Sequence, residues 1–205
     1  MRTLLNLALS LCLAVTLVGC NEATLDPLPG NARILAFGDS LTVGVGAIES
    51  AAYPAELQRL TGFEVINAGI SGETSSEGRV RLESVLDRYD PDLVILCHGG
   101  NDFLRRQDTT FTKANLAAMI ELMQSQGIEV ALIGVPEPGL FLTSASLYNE
   151  LAEQYGVPID NDIMADLQSN QQLKSDRVHL NAEGYRQFAA AVAKLLSDAG
   201  AIQQN

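Results

Sequence analysis

Histidine is the scarcest catalytic residue type in this chain: His98 and His179 are the two in 205 residues. Any mechanism that uses an imidazole as base must use one of them. Cysteine is nearly as rare, at Cys12, Cys20 and Cys97. Cys97 is alone in the body of the chain, so it has no internal disulfide partner. It closes the apolar run Leu93-Val94-Ile95-Leu96-Cys97 and reads as a small buried hydrophobe. No cluster of His, Cys and carboxylates offers a metal its ligand set, and no cofactor is implied. Positive charge is also short, with 13 Lys and Arg against 25 Asp and Glu, a formal charge of −12. That excludes nucleic acid as a partner, because binding it requires neutralising phosphates. The glycine-spaced lysine followed by Ser or Thr that a phosphate loop of the nucleotide-hydrolase type needs is missing. Glu49 stands where a dinucleotide fingerprint would place a third glycine after Gly44-Val45-Gly46. Gly38 and Gly44 have the wrong spacing for a Gly-x-Ser-x-Gly elbow around Ser40. There is no internal repeat and no low-complexity tract.

What is present is 47% hydrophobic residues in a length that suits one domain with a full core. The first residues read as a targeting segment. Arg2 gives a short positive start, and Leu4 to Val18 is almost wholly apolar but short for a membrane span. Leu17-Val18-Gly19-Cys20 resembles the lipobox of bacterial lipoproteins. That resemblance implies cleavage before Cys20 and acylation of that residue, which anchors the chain to a membrane. An ordinary secretory peptide is the alternative. Asn21 after the acylated position is compatible, by the same analogy, with sorting to the outer membrane from the periplasmic side. Asn21 to Asn31, with Pro27, Pro29 and Gly30, reads as a tether. The expected organisation is therefore a signal over 1–19, a lipidated cysteine and tether over 20–32, and a single domain over 33–201.

From Arg33 onward, short apolar runs alternate with helical patterns. The runs are Ile34–Phe37, Glu64–Asn67, Leu93–Cys97 and Val130–Val135, with a weaker one at Val157–Asp160. Continuous runs of this kind suit strands buried on both faces of a parallel sheet. Between them, Val80, Leu82, Val85, Leu86 and Tyr89 recur at helical spacing, as do Leu116, Met119, Ile120 and Met123. Gly127 is placed to stop the second of these helices. Asn181 is placed to cap a last helix from Ala182 to about Asp198. The expectation is a three-layer α/β/α domain with a five-stranded parallel sheet in the flavodoxin-like order.

In such a sheet, chemistry collects beyond the carboxyl ends of the strands. Ser40 lies past the first strand, Gly69 to Thr74 past the second, and Gly99-Gly100-Asn101-Asp102 past the third. Ser40 is open to three readings: a helix cap, part of a phosphate cradle, or a nucleophile. The missing nucleotide motifs remove the second. A nucleophilic serine needs a base. His179 lies three residues after Asp176, close enough for that carboxylate to fix its tautomer. His98 has no acid near it in the chain and reads as structural or as lining the site. Gly72 offers an unobstructed backbone N–H to a developing oxyanion, the Asn101 amide a second donor, and the Ser40 N–H a third.

Taken together, these stretches are similar to the SGNH (GDSL) hydrolase family. Gly38-Asp39-Ser40-Leu41 resembles its first block, Asn67 to Ser75 its second, Gly99 to Asp102 its third and Asp176 to Asn181 its fifth. The resemblance spans about 33–199 and implies Ser40 as nucleophile, Asp176 and His179 as its partners, and Gly72 and Asn101 as oxyanion donors. It is strongest to the small periplasmic thioesterase/lysophospholipase/arylesterase group. Leu180 departs from the proline often found after the histidine, and His98 before Gly99-Gly100 is unusual. The implied substrate is a small acyl ester or thioester of short to medium chain length. A monomer without metal or cofactor is expected. Leu140 and Phe141, after the fourth strand, are candidates either for acyl contact or for loop packing. An O-acetyl esterase acting on polysaccharide shares every motif. A lipid-anchored binding protein with an inactive hydrolase fold is a further alternative, which the complete Ser, Gly, Asn, Asp and His set opposes.

Overall fold

A computed structural model describes residues 23–139 and 142–202. The signal segment with Arg2, the acylation site Cys20, and Leu140 and Phe141 lie outside the described residues.

The strands are β1 (Arg33–Gly38), β2 (Glu64–Gly69), β3 (Leu93–Cys97), β4 (Glu129–Ile133) and β5 (Ile159–Asp160). They form one sheet in the order β2-β1-β3-β4-β5, and every adjacent pair is parallel. This is the expected flavodoxin-like order. Ile34 to Phe37 and Leu93 to Cys97 have no solvent exposure, as strands covered on both faces require. The last two strands are shorter than their apolar runs. Pro136 and Pro158 have no N–H for the ladder, so β4 ends before the first and β5 begins after the second.

The helices are α1 (Ser40–Val43), α2 (Tyr53–Thr61), α3 (Ser75–Tyr89), α4 (Gly100–Leu104), α5 (Thr109–Ser125), α6 (Ser146–Tyr155), α7 (Ile163–Ser169) and α8 (Ala182–Asp198). Helices α2 and α8 pack on each other, with Tyr53 and Phe188 rings 4.4 Å apart, while α3, α5 and α6 form a second group. The helix starts are chemically specified. The Thr74 hydroxyl accepts from Glu77 N, and the Glu77 carboxylate accepts from Thr74 N at 2.8 Å, a capping box for α3. Asn181 accepts from Gly184 N at the start of α8, as expected.

The stretch read as a tether is docked from Leu25 onward. Leu25 is buried, and the N–H groups of Leu25 and Leu28 donate to the carbonyls of Ala199 and Ala201 at 2.8 Å each. Two isolated leucines among prolines make no period, so the sequence carried no sign of this packing. Cys97 is buried and its thiol is pushed well up by burial, which leaves it the inert core group expected.

Candidate active site

The carboxyl ends of β1, β2 and β3 open onto one cavity of about 550 Å³. It is lined by Ser40, Gly72, Asn101 and His179 together with an apolar wall that includes Leu104, Val135 and Leu142. The chain therefore gathers the separated motif residues at one sheet edge.

Ser40 opens the short α1. Asp39 caps that helix by accepting from Leu41 N at 3.0 Å, and Gly44 ends it in the left-handed region at φ 89°. Only glycine fits at Gly38, because a Cβ there would lie 2.1 Å from the Cys97 carbonyl oxygen. The strand thus runs flush against β3 until the turn that lifts Ser40 to the cavity floor.

His179 lies on the loop before α8. Its Nε2 is 3.0 Å from Ser40 Oγ, and its Nδ1 is 2.7 Å from Asp176 Oδ2. The other Asp176 oxygen accepts from the backbone N–H groups of Val178 and His179 at 2.8 Å each. These bonds, His179 N–H first, hold the Asp176 carboxyl down at about 2. It is a carboxylate throughout the neutral range. With the imidazole proton on Nδ1 facing it, Nε2 is left to accept from the serine hydroxyl. Gln168 donates to the Val178 carbonyl at 2.8 Å and fixes the loop from below.

Gly72 stands at φ 79°, where a side chain is strained. Among the described residues, the N–H groups of Gly72 and Ser40 have no acceptor, and both residues line the cavity. The Gly72 carbonyl is held by Arg105 Nη2 at 2.7 Å. Asn101 differs from expectation. Its Nδ2 already donates twice, to Asp39 Oδ2 at 3.1 Å and to the Glu73 carbonyl at 3.0 Å. That amide is thus engaged rather than free.

Behind these residues lies a polar network that the sequence reading missed. His98 has no acid near it in the chain, but the fold supplies one. Glu73 Oε2 is 3.0 Å from His98 Nε2, across a sequence gap that no local pattern bridges. Gly99 N donates to His98 Nδ1 at 3.0 Å, so the ring proton sits on Nε2 and points to Glu73. Arg81 closes the group, with Nε 2.6 Å from Glu73 Oε1 and Nη2 donating to the Ala68 carbonyl at 2.8 Å. Burial alone would raise the Glu73 carboxyl, but the bonds from His98 and Arg81 and the Arg81 charge outweigh it and hold it low. His98 is fully buried and does not line the cavity, so it is structural. Asp102 is likewise buried and accepts from Ser75 N at 2.8 Å and Ser75 Oγ at 2.6 Å. It ties the third motif to the start of α3. Asp39, buried against Asn101, has its carboxyl raised by desolvation, with His98 and His179 opposing. Asp39, Glu73, His98 and Asp102 lie inside or next to a motif, and Asp39 and His98 directly follow buried strands, the one signal that could have found them.

The network makes a stability prediction. Gly78 interrupts α3, where alanine would ordinarily be favoured. Here a Cβ would lie 2.4 Å from His98 Nε2 and 3.3 Å from Glu73 Oε2. The ring is locked and has nowhere to go. Gly78→Ala is expected to destabilise by about 2 kcal/mol, a fall in melting temperature of roughly 5 °C in a thermal scan.

Residues 36–187 match the model of the GDSL-like lipase/acylhydrolase family. The chain belongs to this family. Membership places it among carboxylic ester hydrolases. It is 35% identical over 143 residues to esterase TesA of Pseudomonas aeruginosa, a match that covers 67% of this chain and 66%, just under two thirds, of that protein. It is 30% identical over 171 residues to thioesterase 1/protease 1/lysophospholipase L1 of Escherichia coli, covering 80% of this chain and 82% of that protein. Among solved structures, the SGNH-hydrolase family esterase AlinE4 superposes with a TM-score of 0.64 at 32% identity, covering 82% of this chain and 96% of that one. The three-layer architecture of the GDSL-like hydrolases is thus the one found here. Among the described residues, no helix is long and apolar enough to cross a membrane, and no cluster of potential metal ligands occurs.

Proposed function

We propose that Ser40 is the nucleophile of a serine esterase or thioesterase for short- to medium-chain acyl groups. The observation that carries this reading is the unbroken relay from Asp176 through His179 to the Ser40 hydroxyl at the cavity floor, at 2.7 and 3.0 Å. His179 takes the serine proton as Oγ attacks the carbonyl carbon, and Asp176 stabilises the imidazolium. The oxyanion is met by the unpartnered N–H groups of Ser40 and Gly72. It also draws one proton of the Asn101 amide away from the Glu73 carbonyl, since an anion is the stronger acceptor. His179 then gives the proton to the leaving oxygen or sulfur. The acyl-enzyme is hydrolysed by a water that the same histidine activates. The wall of Leu104, Val135 and Leu142 favours an apolar acyl chain, and the names of the relatives, esterase and thioesterase, agree with both leaving atoms. The protein acts as an exported monomer, tied by acylated Cys20 to a membrane on its periplasmic side.

The test is reaction of the purified protein with a fluorophosphonate, followed by peptide mass spectrometry. The phosphonyl adduct is expected on Ser40. A protein that stays unlabelled is a binding protein and not an enzyme of this type. Asn101→Ala is expected to lower kcat roughly 10²-fold toward a p-nitrophenyl ester. An unchanged kcat would remove Asn101 from the oxyanion site.

A further inference from the structure

Two buried side chains, Asp102 and His98, tie the segment after β3 to the segment after β2. Asp102 holds Ser75, at the start of α3. His98 holds Glu73, which stands among the oxyanion donors. Neither His98 nor Glu73 lines the cavity, so neither touches substrate.

The tie to Glu73 is made where the backbone most needs one. Ile70 and Ser71 are exposed and Gly72 has no side chain, so packing does not hold the turn that presents the Gly72 N–H. Glu73 is the first buried side chain after that turn, and its carbonyl accepts from Asn101 Nδ2 at 3.0 Å. One residue thus adjoins one oxyanion donor along the chain and meets another through a hydrogen bond.

His98 grips this residue and the opposite loop with a single ring. Its Nε2 donates to Glu73 Oε2 at 3.0 Å, and its Nδ1 accepts at 3.0 Å from the N–H of Gly99, close before Asn101. The His98 carbonyl is fixed in turn by the Tyr148 hydroxyl at 2.7 Å. On the far side of Glu73, Arg81 Nη2 donates to Oε2 at 2.7 Å and to the carbonyls of Gly38 and Ala68 at 3.3 and 2.8 Å. The group is therefore fastened to the ends of β1, β2 and β3 together.

This is a costly way to fill a core. Desolvation opposes the burial of a carboxylate beside a guanidinium, and apolar side chains of like volume often fill such space as well or better. What hydrogen bonds add is direction. An oxyanion site depends on direction, because a displacement of about 1 Å can cost on the order of 10²-fold in rate.

We infer that His98 is a positioning residue for the oxyanion site: through Glu73 it sets where the Asn101 amide and the Gly72 N–H point as charge develops. The inference rests on Ser40, Gly72 and Asn101 acting as proposed above.

The experiment is a double-mutant cycle between His98 and Asn101, read as kcat and KM on a p-nitrophenyl ester. His98→Leu removes both ring bonds and keeps the core apolar. Alone it is expected to lower kcat about tenfold and to leave KM within about twofold, since the cavity lining is untouched. In the Asn101→Ala background, where the donor it aims is gone, the same change should lower kcat by about threefold or less. His98→Gln, whose amide N–H can still donate to Glu73, should recover most of the loss. An equal fall in both backgrounds is what a merely loosened core would give, and it overturns the inference. So does an unchanged kcat in folded His98→Leu. If His98→Leu does not fold, Glu73→Asp, which keeps the carboxylate but shortens its reach to the ring, repeats the cycle under the same criteria. If neither folds, the network serves the fold alone and the inference is overturned. Each of these failures leaves the hydrolase reading standing, because phosphonylation of Ser40 tests that separately. An unchanged kcat in Asn101→Ala would remove the Asn101 assignment and this inference together, and a wild-type Ser40 that resists phosphonylation would remove the hydrolase reading with them.

Discussion

Ser40→Ala is expected to lower kcat on a p-nitrophenyl ester by roughly 10⁴- to 10⁶-fold and to leave the melting temperature almost unchanged. The two halves of this expectation come from different atoms. The hydroxyl has His179 Nε2 as its partner at 3.0 Å, so its loss removes the bond-forming group. The backbone does the structural work: the Ser40 carbonyl accepts from the N–H groups of Gly44 and Val45 at 3.1 Å each, and alanine keeps both bonds. Alanine is also a better helix former than serine at the first position of α1. Kinetics and a thermal scan on the same preparation read the two halves separately. Hydrolysis equal to the wild type in a folded variant would remove Ser40 from the reaction.

Asp176→Asn is the second large effect, on the order of 10⁴-fold in kcat with the fold retained. The asparagine carbonyl can still accept from Val178 N and His179 N, as the Asp176 carboxylate does at 2.8 Å. Its amide group then faces Nδ1 and donates. The imidazole must accept there, so its proton moves to Nε2, where it cannot take the serine proton. Alanine would drop the loop bonds as well and blur the result. The ionisation of Asp176 fixes the pH window. Its folded value, about 2, lies below the ordinary carboxylate value of 3.8, so what the carboxylate contributes is fully present above about pH 4 and is lost as pH falls toward 2. Between pH 5 and 8 Asp176 itself stays ionised, so its own titration adds no pH dependence to the rate deficit of the asparagine variant. A deficit that vanished within that range would contradict the tautomer argument.

Much of this was legible because it is local or periodic. Ile34 to Phe37 and Leu93 to Cys97 announce buried strands by composition alone. The three-residue step from Asp176 to His179 is short enough that one loop turn joins them. Sheet topology made the meeting of Ser40, Gly72 and Asn101 readable, since it brings strand ends from distant parts of the chain to one edge, whereas His179 followed from the scarcity of histidine and from Asp176 three residues before it. What escaped notice depends on side-chain choices made across long gaps. Glu73 could have faced solvent like other residues of an acidic chain; it meets His98 because Gly78 leaves room for the ring. Asp39 looks like a simple cap, and it is one, but its second oxygen is spent on Asn101. Leu25 and Leu28 were hidden by their proline-rich setting, since docking of a strand-like segment onto a helix end has no period to detect.

That docking fixes an orientation. Asp26 N donates to Glu129 at the start of β4, and Arg33 N to Asp92 just ahead of β3, so the segment lies along the edge where the parallel strands begin. The serine is at the edge where they finish. Helix α8 spans the distance, starting beside His179 and finishing beside Leu25, some 25 Å away at ~1.5 Å per residue. The segment from Leu25 to Arg33 and the catalytic mouth therefore lie at opposite edges of the sheet. Were Cys20 acylated as proposed, esters diffusing in from the surrounding fluid would meet that mouth directly, whereas lipids of the anchoring membrane would have to cross the whole height of the domain.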